Sequence, residues 1–469
     1  MPLFLAVFFS VSIGASADGI GAQDDFGSWV ERESLIAAGR MAANISAPGT
    51  ARGVVLASPS RRDPNYYYYW VRDGAMVMRS VLALYEAHQP LGLAGPLNML
   101  VDYVRFSRDN QIKAFGQLGE PRFNADGSLN TEPWGRPQND GPALRALTMI
   151  RFAHDLMASG NLNFVTSELY SPRLPAETVI KADLEFIAHH WREKCIDLWE
   201  EIWGLHFFTR ATQLAALREG AKLAALLNDP NASAFYSQEA DSLEKELTQH
   251  WDPQSGYYIS TLEQSSGPEH AKPTQLDTSV ILAALAAEQS SGPLSVTDSR
   301  ILATALHIEE TFMKLYPINR NSNYGAAIGR YPEDKYFGGN PWVLTTAAFA
   351  ELNDRLAVAV ATATSFPMTQ THADYFMRVL RLNGTPQTVL AGSDLVLEPA
   401  LRDLIVRALV AKAETYLLRI RLHTNSDGSL SEQFRADSGH MLSAVDLSWS
   451  YASFLRAADA RQQAFSVLK

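Results

Sequence analysis

Two carboxylates stand side by side in CIDLWEEIWG, residues 195–204. They are Glu200 and Glu201, with Trp199 before them and Trp203 close behind. Tryptophan is highly buried on average, and its neighbours share that environment. A carboxyl packed against an indole loses hydration, so its neutral form is favoured. That is how a carboxylic acid keeps its proton near neutral pH and acts as a general acid. Adjacent residues point in different directions, so the two glutamates take different parts. A second candidate is Glu432 in SLSEQFRADSGH, flanked by Ser431 and Gln433 in a polar, loop-like segment. A carboxylate there is expected to stay ionised, as a general base must. Taken singly, each has an ordinary reading: a solvated acidic pair and a surface-loop acid. Together, two carboxylates in contrasting settings are what glycoside cleavage needs. One protonates the leaving oxygen; the other activates water at a separation of about 6.5–9.5 Å, or attacks directly at about 5–5.5 Å.

Other stretches offer groups that suit a polyhydroxylated ligand. In YYYYWVRDG, residues 66–74, Arg72 and Asp73 follow five aromatics. A guanidinium fork and a carboxylate match sugar hydroxyls, which donate and accept together. A buried ion pair that orders a loop is the alternative. GEPRFNADG and WGRPQNDGPA, residues 119–127 and 134–143, add Trp134; GRYPEDKYFGGNPW, residues 329–342, adds Arg330, Tyr331, Tyr336 and Trp342. Each aromatic alone reads as packing. No dinucleotide-binding or phosphate-binding glycine loop and no HExxH occurs. His189-His190 lacks a matching carboxylate spacing, so no metal and no cofactor is expected.

Helical patterns must position these groups. DGPALRALTMIRFAHDLM, residues 140–157, opens on Asp140 as N-cap with Pro142 in the first turn. NPWVLTTAAFAEL, residues 340–352, repeats the device with Asn340 and Pro341. Further runs lie at 214–227, 301–313, 371–382, 399–418 and 444–460; the clearest strand signal is 53–56. Long aromatic and glycine-rich connections fall at 65–73, 119–138, 323–340 and 426–440. Such long loops in a compact domain commonly carry function. The expectation is one all-α domain of about a dozen helices, its loops gathered into a pocket. The 469 residues carry a formal charge of −11, which argues against a nucleic-acid partner. The single Cys195 excludes an intramolecular disulfide.

Read together, YWVRDG, GEPRFNADG, WGRPQNDGPALRA, DLWEEIWG, QLDTSV, GRYPEDKYFGGNPW and SEQF…LSAVDLSWSY resemble the glucoamylases of glycoside hydrolase family 15, in that family's order and over nearly the whole chain. The resemblance implies an (α/α)6 barrel. It also implies exo-acting, inverting release of β-glucose from non-reducing ends of α-1,4-glucans, slower on α-1,6 links and without a cofactor. By motif, Glu200 takes the role of general acid and Glu432 that of general base. Arg72, Asp73 and Arg330 are similar to the grip on the terminal glucose. Tyr66, Trp134, Trp199, Tyr331, Tyr336 and Trp342 resemble the aromatic lining, and Glu201 the neighbour that binds beyond the scissile bond. Trehalose- or isomaltose-type specificity and a non-catalytic sugar-binding protein are the alternatives.

Three departures from the pattern stand out. Phe434 replaces a tyrosine after the base, Val445-Asp446 replaces an Arg-Asp pair, and Trp203 replaces a small polar residue. The last predicts a narrower pocket beyond the first glucose. Residues 3–13 are almost wholly apolar, and Ala15-Ser16-Ala17 suits a cleavage site. A signal peptide is therefore expected at 1–17, followed by a single catalytic domain at 18–469 with no starch-binding module. The expected product is a secreted or periplasmic monomer with no membrane attachment, acting on an α-glucan or maltooligosaccharide.

Overall fold

The computed structural model describes residues 25–468, except 93–94, 266–270, 322, 367 and 393–396. The expected signal peptide, 1–17, lies outside the described residues. The α-helices follow in chain order: α1 (Phe26–Ala43), α2 (Val71–Glu86), α3 (Pro96–Lys113), α4 (Asp140–Ala158), the single turn α5 (Leu162–Phe164), α6 (Val179–His190), α7 (Phe207–Leu226), α8 (Pro230–Leu247), α9 (Ser279–Ala287), α10 (Ser299–Leu315), α11 (Val343–Thr362), α12 (Gln370–Leu382), α13 (Pro399–His423) and α14 (Ser448–Val467).

Six of them close a ring. Helix α2 packs on α4, α4 on α7, α7 on α9, α9 on α11, α11 on α14, and α14 back on α2. Six more, α1, α3, α6, α8, α10 and α13, alternate with these along the chain and pack outside them. This is the expected (α/α)6 barrel. Composition explains which helices go inside. In SVILAALAA of α9 every residue is buried, the mark of a helix surrounded on all sides. Helix α7 is rich in Ala, and a Cβ on its one glycine, Gly220, would lie 2.5 Å from Leu184 of α6. Helix α12 is additional. It buries Ala373, Phe376, Val379 and Leu380 on one stripe, in a smaller core shared with Leu302, Leu356 and Ile405.

The short strands lie in the loops that lead from outer to inner helices: β1 (Tyr68–Trp70), β2 (Arg122–Asn124), β3 (Cys195–Ile196), β4 (Trp203–His206), β5 (Trp251–Asp252), β6 (Tyr257–Tyr258), β7 (Thr261–Ser265), β8 (Gln433–Phe434) and β9 (Met441–Leu442). Six such loops enter the six inner helices, so all six inner N-termini face one end of the barrel. Backbone hydrogen bonds join these loops into a closed collar. Strand β1 pairs with β2, and Ile196 N donates to Pro137 O (2.9 Å). Strand β4 pairs with β7, and Thr278 N donates to Arg330 O (2.9 Å). Trp342 bridges to Gln433, and Ser448 N donates to Ala57 O (2.8 Å).

Three local expectations are corrected. Residues 53–56 form no strand; Gly53 turns with φ +85°, and Val55 makes only an isolated bridge to Ile45. Asp140 is the first helical residue rather than the cap, and its carboxylate faces Arg72 at 3.3 Å. Helix α11 begins at Val343. Asn340 does not cap it, because its Oδ1 already accepts from Ala436 N (3.1 Å).

Candidate active site

Strands β3 and β4 form a hairpin whose tip carries the adjacent glutamates. The Asp197 side chain builds that tip: its Oδ1 accepts from Glu201 N (2.7 Å) and Ile202 N (2.9 Å). Glu200 takes φ +68° there, a left-handed conformation uncommon outside glycine. Lys272, buried, donates to Asp197 Oδ2 and Asp277 Oδ2 at 3.1 Å each. Burial pushes the Asp197 carboxyl up, but Lys272, His206 and the two backbone N–H groups outweigh it and hold it down at about 2. The turn therefore rests on a permanent anion, and from it the two glutamates diverge.

Glu200 is pinned by one oxygen. Its Oε1 accepts from Trp70 Nε1 (2.7 Å), Trp134 Nε1 (2.9 Å) and Gln138 Nε2 (2.9 Å), with Arg72 Nη2 at 3.8 Å. Among the described residues none donates to Oε2, which leaves that oxygen free to carry a proton to a ligand. Glu201 instead meets Arg330 Nη2 (2.8 Å) and the Tyr331 hydroxyl (2.6 Å). The indoles at Glu200 come from two distant loops, not from its sequence neighbours. Trp199 donates to Asp277 (3.0 Å) and packs edge-on to Trp342 at 5.6 Å. Trp203 lies in β4 opposite Ser265 and does not line the cavity, so the expected narrowing is corrected.

Glu432 precedes β8, and its surroundings differ from those its flanking residues suggest. It is only 1% exposed, because Glu432 N donates to Ala444 O (2.9 Å) and Val343 N to Glu432 O (3.2 Å), drawing the segment between the N-termini of α11 and α14. Ser443 and Gln433 donate to its Oε2. Burial pushes the carboxyl up to about 7 against the pull of Ser443, Arg330, Gln433 and Tyr66. A carboxylate that binds protons more tightly is a stronger base near neutral pH.

A cavity of about 600 Å³ joins these groups, within the range of small-molecule sites. Glu200, Glu201 and Glu432 line it with Arg72, Asp73, Tyr66, Trp134, Trp199, Arg330, Tyr336 and Trp342. Of the expected residues only Tyr331 does not: its ring lies under Lys272 Nζ at 3.9 Å and its hydroxyl holds Glu201. Arg72 spends Nη1 on Gln138 Oε1 (2.8 Å). Asp73 Oδ2 is buried without a hydrogen bond, and burial pushes that carboxyl up to about 6. Its nearest cation is Arg72 Nε, at 3.4 Å. The Tyr66 and Tyr336 hydroxyls meet at 2.7 Å. Trp449, which also lines the cavity, separates it from a smaller void of about 20 Å³ walled by Met76, Leu282, Leu344 and Ala348, so the cavity is closed at that end.

Sequence reasoning missed Trp70, Gln138, Asp197, Lys272, Ser443 and Trp449. Trp70 closes the aromatic run and Gln138 sits in WGRPQND, so a signal was present for both. Ser443 and Trp449 lie in LSAVDLSWSY, whereas nothing local to Lys272 marks it.

The profile of the glycosyl hydrolases of family 15 matches residues 31–459. Glucoamylase 1 of Rhizopus oryzae is 34% identical over 92% of this chain and 71% of its own length. A probable glucoamylase of Schizosaccharomyces pombe is 32% identical over 92% and 90%. The solved family 15 glucoamylase from Hypocrea jecorina superposes with a TM-score of 0.83 at 31% identity, covering 93% of this chain and 72% of that one.

Proposed function

This chain belongs to the glycosyl hydrolases of family 15, and from that premise we propose that it is an exo-acting glucan 1,4-α-glucosidase releasing β-D-glucose from the non-reducing ends of starch-type glucans and maltooligosaccharides. The observation that carries this reading is the pair Glu200 and Glu432, from opposite loops, lining one blind cavity with a single oxygen of Glu200 left without a donor.

The terminal glucose enters first. Arg72, Asp73 and Arg330 engage its hydroxyls, and the aromatic walls cover its apolar faces. Glu200 Oε2 gives its proton to the glycosidic oxygen, and the C1–O bond breaks with its electron pair leaving on that oxygen. Glu432 takes a proton from a water on the far face, and the water oxygen bonds to C1. Attack opposite to departure inverts the anomeric centre. The positive charge that develops on the sugar ring is stabilised by the ionised Glu432. Trp70, Trp134 and Gln138 hold Glu200 Oε1, so the proton has one direction to go. Export is proposed from the N-terminal sequence pattern alone, and no described helix is long and apolar enough to cross a membrane.

Proton NMR of the first turnovers on maltotetraose tests the reading. β-Glucose and maltotriose should form first, with α-glucose rising only by mutarotation. α-Glucose as the first product, or maltose from the chain interior, would overturn it.

A further inference from the structure

The cation nearest the two indoles of Glu200 has no part in the reaction as described. We propose that Arg122 and its counter-ion Glu132 form an electrostatic pair that positions Glu200 and sets how tightly it holds its proton. The proposal rests on Glu200 as the general acid.

Arg122 lies in β2 directly opposite Trp70 of β1. Its side chain is almost wholly buried. The guanidinium carbon stands 3.7 Å from the Trp134 ring centre, 4.4 Å from Tyr68 and 5.5 Å from Trp70. Two of these three rings are the indoles that donate to Glu200 Oε1. A cation held over indole faces is attracted by them, so Arg122 fixes the direction of both N–H donors. Its Nη2 donates to Asn130 Oδ1 (3.0 Å) and Glu132 Oε2 (2.9 Å), while its Nε is buried without a hydrogen bond. Glu132 lines the cavity mouth with a side chain 61% exposed.

The electrostatics assign each partner a sign. Arg122 is buried, so its field is weakly screened, and Glu200 is among the anions whose charge acts on it through space. Glu132 opposes that field from the wetter side. Glu200 is also faced by Arg72 and Asp73 from α2 and by Tyr66. Arg122 is also faced by Tyr68 and Arg136. Arg136 is bound to Glu120 at 2.7 Å. Neutralising Glu132 leaves Arg122 unopposed and favours the ionised acid. Neutralising Arg122 does the reverse.

The two catalytic carboxyls share one proton in the productive state, so the profile reports the pair. Its optimum moves with either partner. The experiment measures pH–kcat/KM profiles on maltose for the wild type, E132Q, E132D and R122Q. The expected optimum falls by about 0.2–0.5 pH unit in E132Q, rises in R122Q, and stays with the wild type in E132D. The E132Q displacement shrinks between about 0.01 M and 1 M salt, as screening requires. A purely structural role would not give opposite signs. An unmoved or raised optimum in E132Q, or the same sign in both variants, overturns the proposal. If R122Q does not fold, E132Q with its rescue by E132D and its salt dependence decides alone. E200Q is run alongside: near-wild-type turnover there would instead overturn the assignment of the acid itself.

Discussion

The Ser443 hydroxyl donates to Glu432 Oε2 across the β8–β9 hairpin, from a residue held at φ +68°. A hydrogen bond to the charged form holds a carboxyl down, so Ser443 works against the burial that pushes Glu432 up to about 7. Ser443→Ala removes the donor and leaves the burial. Glu432 then binds its proton more tightly, and the optimum of the pH–kcat/KM profile moves to higher pH by about half a unit. A shift to lower pH would mean that the bond does not stabilise the anion.

Glu200→Gln and Glu432→Gln each keep the size and shape of the side chain while removing proton transfer. Each is expected to lower kcat on maltose by about 10²–10⁴-fold or more, with an unchanged circular dichroism spectrum. Near-wild-type turnover in either variant would refute its role.

At the opposite end of the barrel, Glu288 terminates α9 and gathers Arg79, Arg151, Arg355 and Arg456 from α2, α4, α11 and α14. Burial pushes this carboxyl up, but Arg79, Arg456 and Arg151 outweigh it and hold it down at about 2. Its folded value is depressed, so its contribution is present above the unfolded value of about 4.3 and is lost as pH falls through about 2. Glu288→Gln leaves four guanidinium groups short of an anion and should cost about 2–3 kcal/mol near neutral pH. The gap in thermal midpoint between wild type and variant should close as pH falls from 5 towards 2. A gap independent of pH would assign the loss to packing.

Asp354 of α11 carries the opposite sign. It is fully buried, and neither of its oxygens is hydrogen-bonded. Burial raises its carboxyl well above the ordinary value; Arg461 pulls it down, and Glu414 and Glu351 push it further up. The folded state therefore holds this proton to higher pH than the unfolded chain does. Stability therefore falls as pH rises above about 4. Asp354→Asn removes that dependence. Its thermal midpoint should match the wild type near pH 4 and exceed it by about 1–3 °C at pH 7. Equal midpoints at both pH values would contradict this.

Site residues were legible where chemistry is dense in one stretch. WVRDG, DLWEE and GRYPEDKYFGGNPW each hold several cavity-lining side chains within a few positions. Spatial neighbours from different loops were not. Trp70 and Trp134 serve Glu200, while Trp199 and Trp203, beside it in sequence, do not. The burial of Glu432 was hidden because Ser431, Gln433 and Ser443 look like solvent-facing residues, yet two of them point inward and bond to it. Among helices, the inner ring is hardest to see. Helix α9 has no polar face to set a period, and α2 opens on the buried pair Arg72-Asp73. The apolar residues 53–56 suggested a strand, but Gly53 imposes a turn.

The loop collar is bonded from each segment to the next around the rim, and Trp449 closes the cavity beneath it. A glucose freed at the closed end is trapped behind the remainder of its own chain. That remainder must leave first, so every cleavage ends the encounter. Distributive attack is therefore the expected outcome: a population of long glucans should shorten evenly, instead of a few being consumed to the last residue.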